Sequence, residues 1–164
     1  MRRVSGEDAL STSVVVNGTT YSIPASGETD WATSLSAFLA ALASASSSIL
    51  VWSADALGAA TTYLRPGNSA SADANELKLR MPRAGKLSAL TAATVGAPAG
   101  GSTIVTVRVN GVDTALTATI VEEGYQQDLA HTVTVAANAA VSVKVTYTGT
   151  PPTYLGVTLA FTPS

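Results

Sequence analysis

Two stretches of the chain alternate apolar and polar residues on both sides of an Asn-Gly dipeptide, and each predicts a β-hairpin. In Ser102 to Val121, STIVTVRVNGVDTALTATIV, the turn falls at Asn110-Gly111, residue types that tolerate the positive φ of a tight type I′ turn. Counting outward from that turn sets Val109 against Val112, Val107 against Thr114 and Val105 against Leu116, on one face that should look into a core. Arg108 then stands opposite Asp113 on the other face, as an exposed cross-strand pair of small energetic weight. The second hairpin runs from Ser13 to Val16 and from Thr19 to Ile23, turning at Asn17-Gly18, with Val14 opposite Tyr21 and Val16 opposite Thr19. Pro24 ends it because proline has no N–H to donate.

The period then changes. Trp31, Leu35, Phe38, Leu39 and Leu42 recur at helical spacing on an alanine-rich segment, with Thr29 as N-cap and Asp30 in the first turn. This stripe, including Trp31 and Phe38, should be core. The serines from Ser44 to Ser48 dissolve the helix and predict a linker. Residues 1 to 48 thus read as a small N-terminal module, with a mobile mixed-charge arm at 1 to 10, and residues 49 to 164 as the main domain.

In the main domain, Ile49 to Trp52 reads as a short buried strand or as an apolar cluster beside the linker, and Thr61 to Leu64 as a strand before a Pro66-Gly67 loop. Strand-like runs follow at Glu76 to Met81, Lys86 to Val95, the central hairpin, Thr132 to Val135, Ala140 to Tyr147 and Tyr154 to Phe161. Val133 and Val135 align with Val141, Val143 and Val145 across the turn 136 to 140, while Ser142 and Lys144 point the other way. The predicted fold is mainly β: an antiparallel jelly-roll-like β-sandwich with a small N-terminal hairpin-plus-helix module. An immunoglobulin sandwich is the rival topology.

Composition adds a partner to this picture. Of the 164 residues 46% are hydrophobic and only 12% charged, about half the usual charged share. No apolar run approaches the roughly 18 residues of a membrane span, so the surplus apolar surface predicts a homo-oligomer and not a membrane protein. A formal charge of −2 offers no basic field for nucleic acid. The chain has no cysteine, and Arg2 and Arg3 are followed by Glu7 and Asp8 where a secretory leader would be apolar.

Two sets of residues resemble known families. The ordered set Asn17, Gly18, Thr20, Tyr21, Ile23, Pro24, Gly27 and Trp31 resembles a short module near the N-terminus of bacteriophage head fibres and tail-fibre-like proteins, with Ala32 where glycine is common. The stretch from Leu77 to Phe161, with Met81-Pro82 leading to Gly85, the Val109 to Val112 turn and paired valine strands, resembles trimeric jelly-roll domains of phage surfaces and of tumour-necrosis-factor-like or collagen-tip proteins. Asn138-Ala139 stands where those relatives commonly carry Gly-Asp.

These resemblances imply a structural virion protein on the capsid surface, a capsid decoration or head-fibre protein that is a homotrimer. Its partner would be the major capsid protein or another virion protein, held through Arg2, Arg3, Tyr21, Trp31 and Phe38. The alternative they leave open is a tail-fibre or receptor-binding protein whose sandwich tip recognises a host glycan.

Candidate chemistry is sparse. An enzyme needs convergent acid and base groups, and the lone histidine, His131, sits at the rim of a strand in a structural position. There is no G-x-S-x-G. Glu122, Glu123 and Asp128 share a predicted polar loop, read as a solvated turn in preference to a calcium site because the alternating spacing of a calcium loop is missing. No catalysis, metal or cofactor is expected. Lys78, Arg80, Arg83 and Lys86 form either edge charges that discourage strand addition or a basic contact patch. Tyr125, in the same polar loop, is the best candidate for an exposed contact to carbohydrate or to a neighbouring subunit.

Overall fold

The computed structural model describes residues 12–16, 19–23, 31–45, 47–58, 60–67, 72–96 and 98–164. The chain divides into two compact units, Met1–Ser46 and Ser47–Ser164.

In the first unit, β1 (Thr12–Val16) and β2 (Thr19–Ile23) pair antiparallel, with Val14 opposite Tyr21 and Val16 opposite Thr19, as the alternation predicts. Helix α1 (Trp31–Ala45) follows. The Tyr21 and Phe38 rings meet edge-on, their centroids 6.2 Å apart, so Phe38 covers the hairpin. The leucines of the stripe are not core, contrary to expectation: Leu35, Leu39 and Leu42 are 47%, 54% and 43% exposed. At 100° per residue these leucines sit beside Phe38 and not beneath it, and a two-stranded ribbon is too narrow to cover both arcs. Arg2, Arg3, the Asn17-Gly18 turn, Pro24, Gly27 and the cap at Thr29 and Asp30 lie outside the described residues, as does the arm 1 to 10.

The second unit is a β-sandwich. Its first sheet comprises β3 (Ser48–Ala54), β5 (Arg65–Pro66), β7 (Gly85–Val95), β10 (Gly124–Asp128), β11 (Val133–Val135) and β13 (Tyr154–Pro163). The second comprises β4 (Thr61–Tyr63), β6 (Leu79–Arg80), β8 (Thr103–Val109), β9 (Val112–Ile120) and β12 (Ala140–Tyr147). The first runs in the order β10-β7-β13-β3-β5 and the second β4-β12-β8-β9. Because β7 has only two edges and β13 occupies one, β10 and β11 share the other; β4 and β6 share an edge of β12 in the same way.

The last strand thus inserts between β3 and β7, and the one before it between β4 and β8. That double insertion is the jelly-roll arrangement and decides against the immunoglobulin order. The serine run does not act purely as a linker, since α1 takes it to Ala45 and β3 begins at Ser48.

The inward residues of both sheets meet in one core, where Trp52, Leu87, Leu90, Val107, Leu116 and Leu159 are fully covered. Gly85 is obligatory at the start of β7, because a Cβ there would overlap the Thr162 carbonyl and the Phe161 ring. Two predicted details change. The central hairpin holds Val109 against Val112 and Arg108 against Asp113, but then Val107 alone faces Thr114, Ala115 and Leu116, so Val105 meets Ala118 and not Leu116. Thr114 stabilises this bulge: its hydroxyl donates to the Val107 carbonyl at 2.7 Å and accepts the Leu116 N–H at 3.3 Å. Because the shift is two residues, Leu116, Ala118 and Ile120 still face inward, whereas Val112, close to the turn, is 67% exposed.

The second change is that β11 and β12 do not form a hairpin: β11 pairs with β7 and β12 belongs to the other sheet. The connection between them crosses the sandwich at Asn138, whose φ of 63° is a left-handed conformation that asparagine tolerates. Its N–H donates to the Met81 carbonyl at 2.8 Å.

Candidate interaction surfaces

The outward residues of the first sheet line up in rows across the strands. Tyr125, Ala93, Gly156 and Ser53 form one row, and Gln127, Thr91, Thr158 and Val51 the next. Ala160 follows, with Ser88 on one side and Ile49 on the other. None of these side chains is charged, charge entering only at the margins, at Arg65 opposite Ser53 and Lys86 opposite Thr162, and the large ones are uncovered: Ile49 is 73% exposed, Val51 47% and Tyr125 67%. Ile49 to Trp52 therefore forms a strand buried only on its Leu50 and Trp52 side. Tyr125 is not in a loop, as the sequence suggests, but on β10, which the polar run Gly124 to Asp128 hides from an alternation search. Tyr125 thus stands on a sheet face shared with Ile49 and Val51.

The second sheet presents the opposite chemistry. Arg108, only 16% exposed along its side chain, is no isolated surface partner of Asp113. It bonds to Asp113 at 2.7 Å and Glu76 at 2.8 Å, donates to the Gly111 carbonyl, and lies 5.7 Å from the centre of the Tyr63 ring. Lys144 closes on Asp113, Lys78 on Glu76 at 3.1 Å, and the Ser142 hydroxyl donates to Glu76 at 2.7 Å. Burial raises the Glu76 carboxyl, but bonds from Ser142 and Lys78 and the Arg108 charge outweigh it and hold the group below the usual carboxylate range. Asp113 is lowered chiefly by the Lys144 bond, against some burial, with Arg108 adding to it. These charges satisfy one another, and Glu76 ties the segment ahead of β6 to the sheet.

Of the predicted basic set, Lys78 thus belongs to this network, while Arg80, Arg83 and Lys86 remain exposed around the crossing from β6 to β7. The run Glu76 to Met81 is strand only at Leu79–Arg80. The acidic trio also separates. Glu122 and Glu123 are exposed in the turn after β9, but Asp128 is buried at the end of β10.

Asp128 accepts the N–H groups of Thr117, Ala130 and His131, each at 3.1 Å, and its oxygens lie 2.9 and 3.0 Å from His131 Nδ1. Burial pushes its carboxyl up, and the Thr117 and His131 bonds outweigh that and lower it. Asp128 thereby locks the turn after β10 to β9 of the other sheet. Among the described residues no group of acids and histidines is placed to hold a metal ion. A shallow recess lined by Ser102, Ile104, Thr146, Tyr147 and Thr148 contains no acid or base poised for catalysis, and the Tyr147 hydroxyl is committed to the Leu57 carbonyl at 3.2 Å.

In the first unit, Tyr21 and Phe38 are occupied with each other, and Trp31 opens α1 with its side chain outside what the structure describes. What the sequence reading missed there is the exposed arc of Leu35, Leu39 and Leu42. No protein-family model matches the chain, and no curated protein sequence matches it.

Proposed function

We propose that the protein is a structural component of a bacteriophage virion, a capsid decoration or head-fibre protein on the capsid surface. Its N-terminal unit holds it to the major capsid protein or another virion protein, and its jelly-roll associates as a homotrimer. The observation that carries this reading is the outer face of the first sheet: uncharged from the Tyr125 row to the Ala160 row across β10, β7, β13 and β3, with Ile49, Val51 and Tyr125 uncovered and Lys86 only at its margin. A face of this kind suits protein contact, and threefold association multiplies weak attachment through avidity. The self-satisfied charges of the second sheet favour a passive scaffold over acid-base chemistry. The attachment half rests on the resemblance carried by Asn17 to Trp31 and is supported by the exposed leucines of α1, a helix without a charged residue.

Labelling the protein in purified particles tests the assignment: many copies over the shell are expected, and a few copies at the tail alone would replace it with a tail-fibre role. Substituting Leu35→Glu and Leu39→Glu should weaken particle binding at least about tenfold while the sandwich stays folded.

A further inference from the structure

The strand registers define two opposite ends of the sandwich. One end gathers the Arg80 to Lys86 crossing, the Asn110-Gly111 turn and Asn138, tied together by Asn110 N–H to the Ala140 carbonyl at 2.7 Å and Met81 N–H to the Ala139 carbonyl at 2.9 Å. The other gathers Asp55 after β3, the end of β7 at Val95 and the Glu122-Glu123 turn after β9. Arg80, Arg83 and Lys86 are exposed at the first end, and among the described residues none forms an ion pair; Arg80 donates only to the Asn138 carbonyl, at 3.0 Å. Asp55, Glu122 and Glu123 are exposed at the second end and also form no ion pair among the described residues.

Of the other charged groups described in this unit, Arg65 pairs with Asp73 and the Arg108 network is matched within itself, while Asp128 is buried and held by the N–H groups of Thr117, Ala130 and His131. Unmatched charge has therefore been sorted by sign to the two ends. Uncovered aliphatic side chains accompany the charges, Val112 at the basic end and Val95 and Val121 at the acidic one.

We propose that these ends are complementary docking surfaces for a second copy of this chain, the basic end of one sandwich seating on the acidic end of the next. Three cations face three anions, with Val112 on one surface and Val95 and Val121 on the other to be covered beside them, a pairing of opposite signs with apolar area. Because the two surfaces lie at opposite ends of one body, the contact is head-to-tail and extends into a row of copies, with no closed dimer. Apart from Lys86, at the margin of the first sheet's outer face, it draws on none of the residues of the sheet-face and attachment readings, so it goes beyond them and does not depend on them.

The test is sedimentation of the full chain across salt and protein concentration. Mass should grow with concentration at about 0.01 M salt and stop growing near 1 M, where the screening length falls to about 3 Å. Arg80→Glu/Arg83→Glu/Lys86→Glu should stop the growth, and so should Asp55→Lys/Glu122→Lys/Glu123→Lys, with circular dichroism reporting an intact fold for both. Mixing the two variants should restore it, since each now supplies the sign the other lacks. Growth that ignores salt, reversed variants that stack like the parent, or a mixture of folded variants that fails to recover would each overturn the proposal. Ile49→Lys/Val51→Lys, by contrast, leaves the row intact and breaks only the sheet-face contact.

Discussion

The second sheet turns Arg108, Asp113 and Lys144 outward, where they and Glu76 from the segment ahead of β6 saturate one another, whereas the first turns out Ala93, Thr91, Gly156, Thr158 and Val51. Both faces come from the same alternation along antiparallel strands, so the pattern that builds the core says nothing about what the outside is for. The difference lies in where charge is stationed. A face whose charged groups are already matched has little to offer a partner; a flat neutral one gains by being covered, because no ion must shed water there.

The sharpest way to break this contrast is to put charge on the neutral face. Ile49→Lys/Val51→Lys should weaken subunit association at least about 100-fold in analytical ultracentrifugation, with monomer stability within about 0.5 kcal/mol of the parent. Removing the hub of the charged face comes next. Arg108→Met leaves Glu76 and Asp113 without their shared cation and should cost about 2 kcal/mol in urea unfolding.

The same variant sharpens the pH dependence. Glu76 and Asp113 are held below their unfolded values, so their contribution is complete above the ordinary carboxylate range and is lost as pH falls through it toward the depressed folded values. The parent should lose stability below about pH 5, and Arg108→Met should lose less over that interval.

The smallest effect is on the neutral sheet. There β7 carries Ala89 at a φ of 50°, where the register against β13 slips between Thr158 and Ala160. Ala89→Gly relieves the left-handed strain at some cost in unfolded-chain entropy and should stabilise by about 0.5 kcal/mol in thermal unfolding.

Most of the sandwich was legible because β8, β12 and β13 carry clean period-two alternation, and period two directly assigns a face. Three features were not legible, each for its own reason. β10 hid because Tyr125, Gln126 and Gln127 are all exposed and show no apolar rhythm. The split of the α1 stripe hid because a helix cannot announce how wide its partner is. The Arg108 network hid because Glu76 reaches it from a stretch far along the chain, bridging to Ser142, a long-range contact that local pattern does not encode. Within the candidate surfaces, Arg80, Arg83, Lys86 and Tyr125 could be picked out by residue type. Their grouping, with Lys78 drawn into the network, followed only from strand order.

The bulge between β8 and β9 bears on how this protein can change over generations. Thr114 absorbs a surplus of two positions, an even number, and the floor of the hairpin is unaffected. A surplus of one with nothing to absorb it would turn Leu116, Ala118 and Ile120 out into water together, and β7 shows what absorbs it: its single extra residue, Ala89, takes a φ of 50° and leaves Leu87, Leu90 and Ala92 facing inward. Length variation tolerated in this hairpin should therefore come in pairs, or singly with a residue that accepts a left-handed turn, so that its underside stays the same.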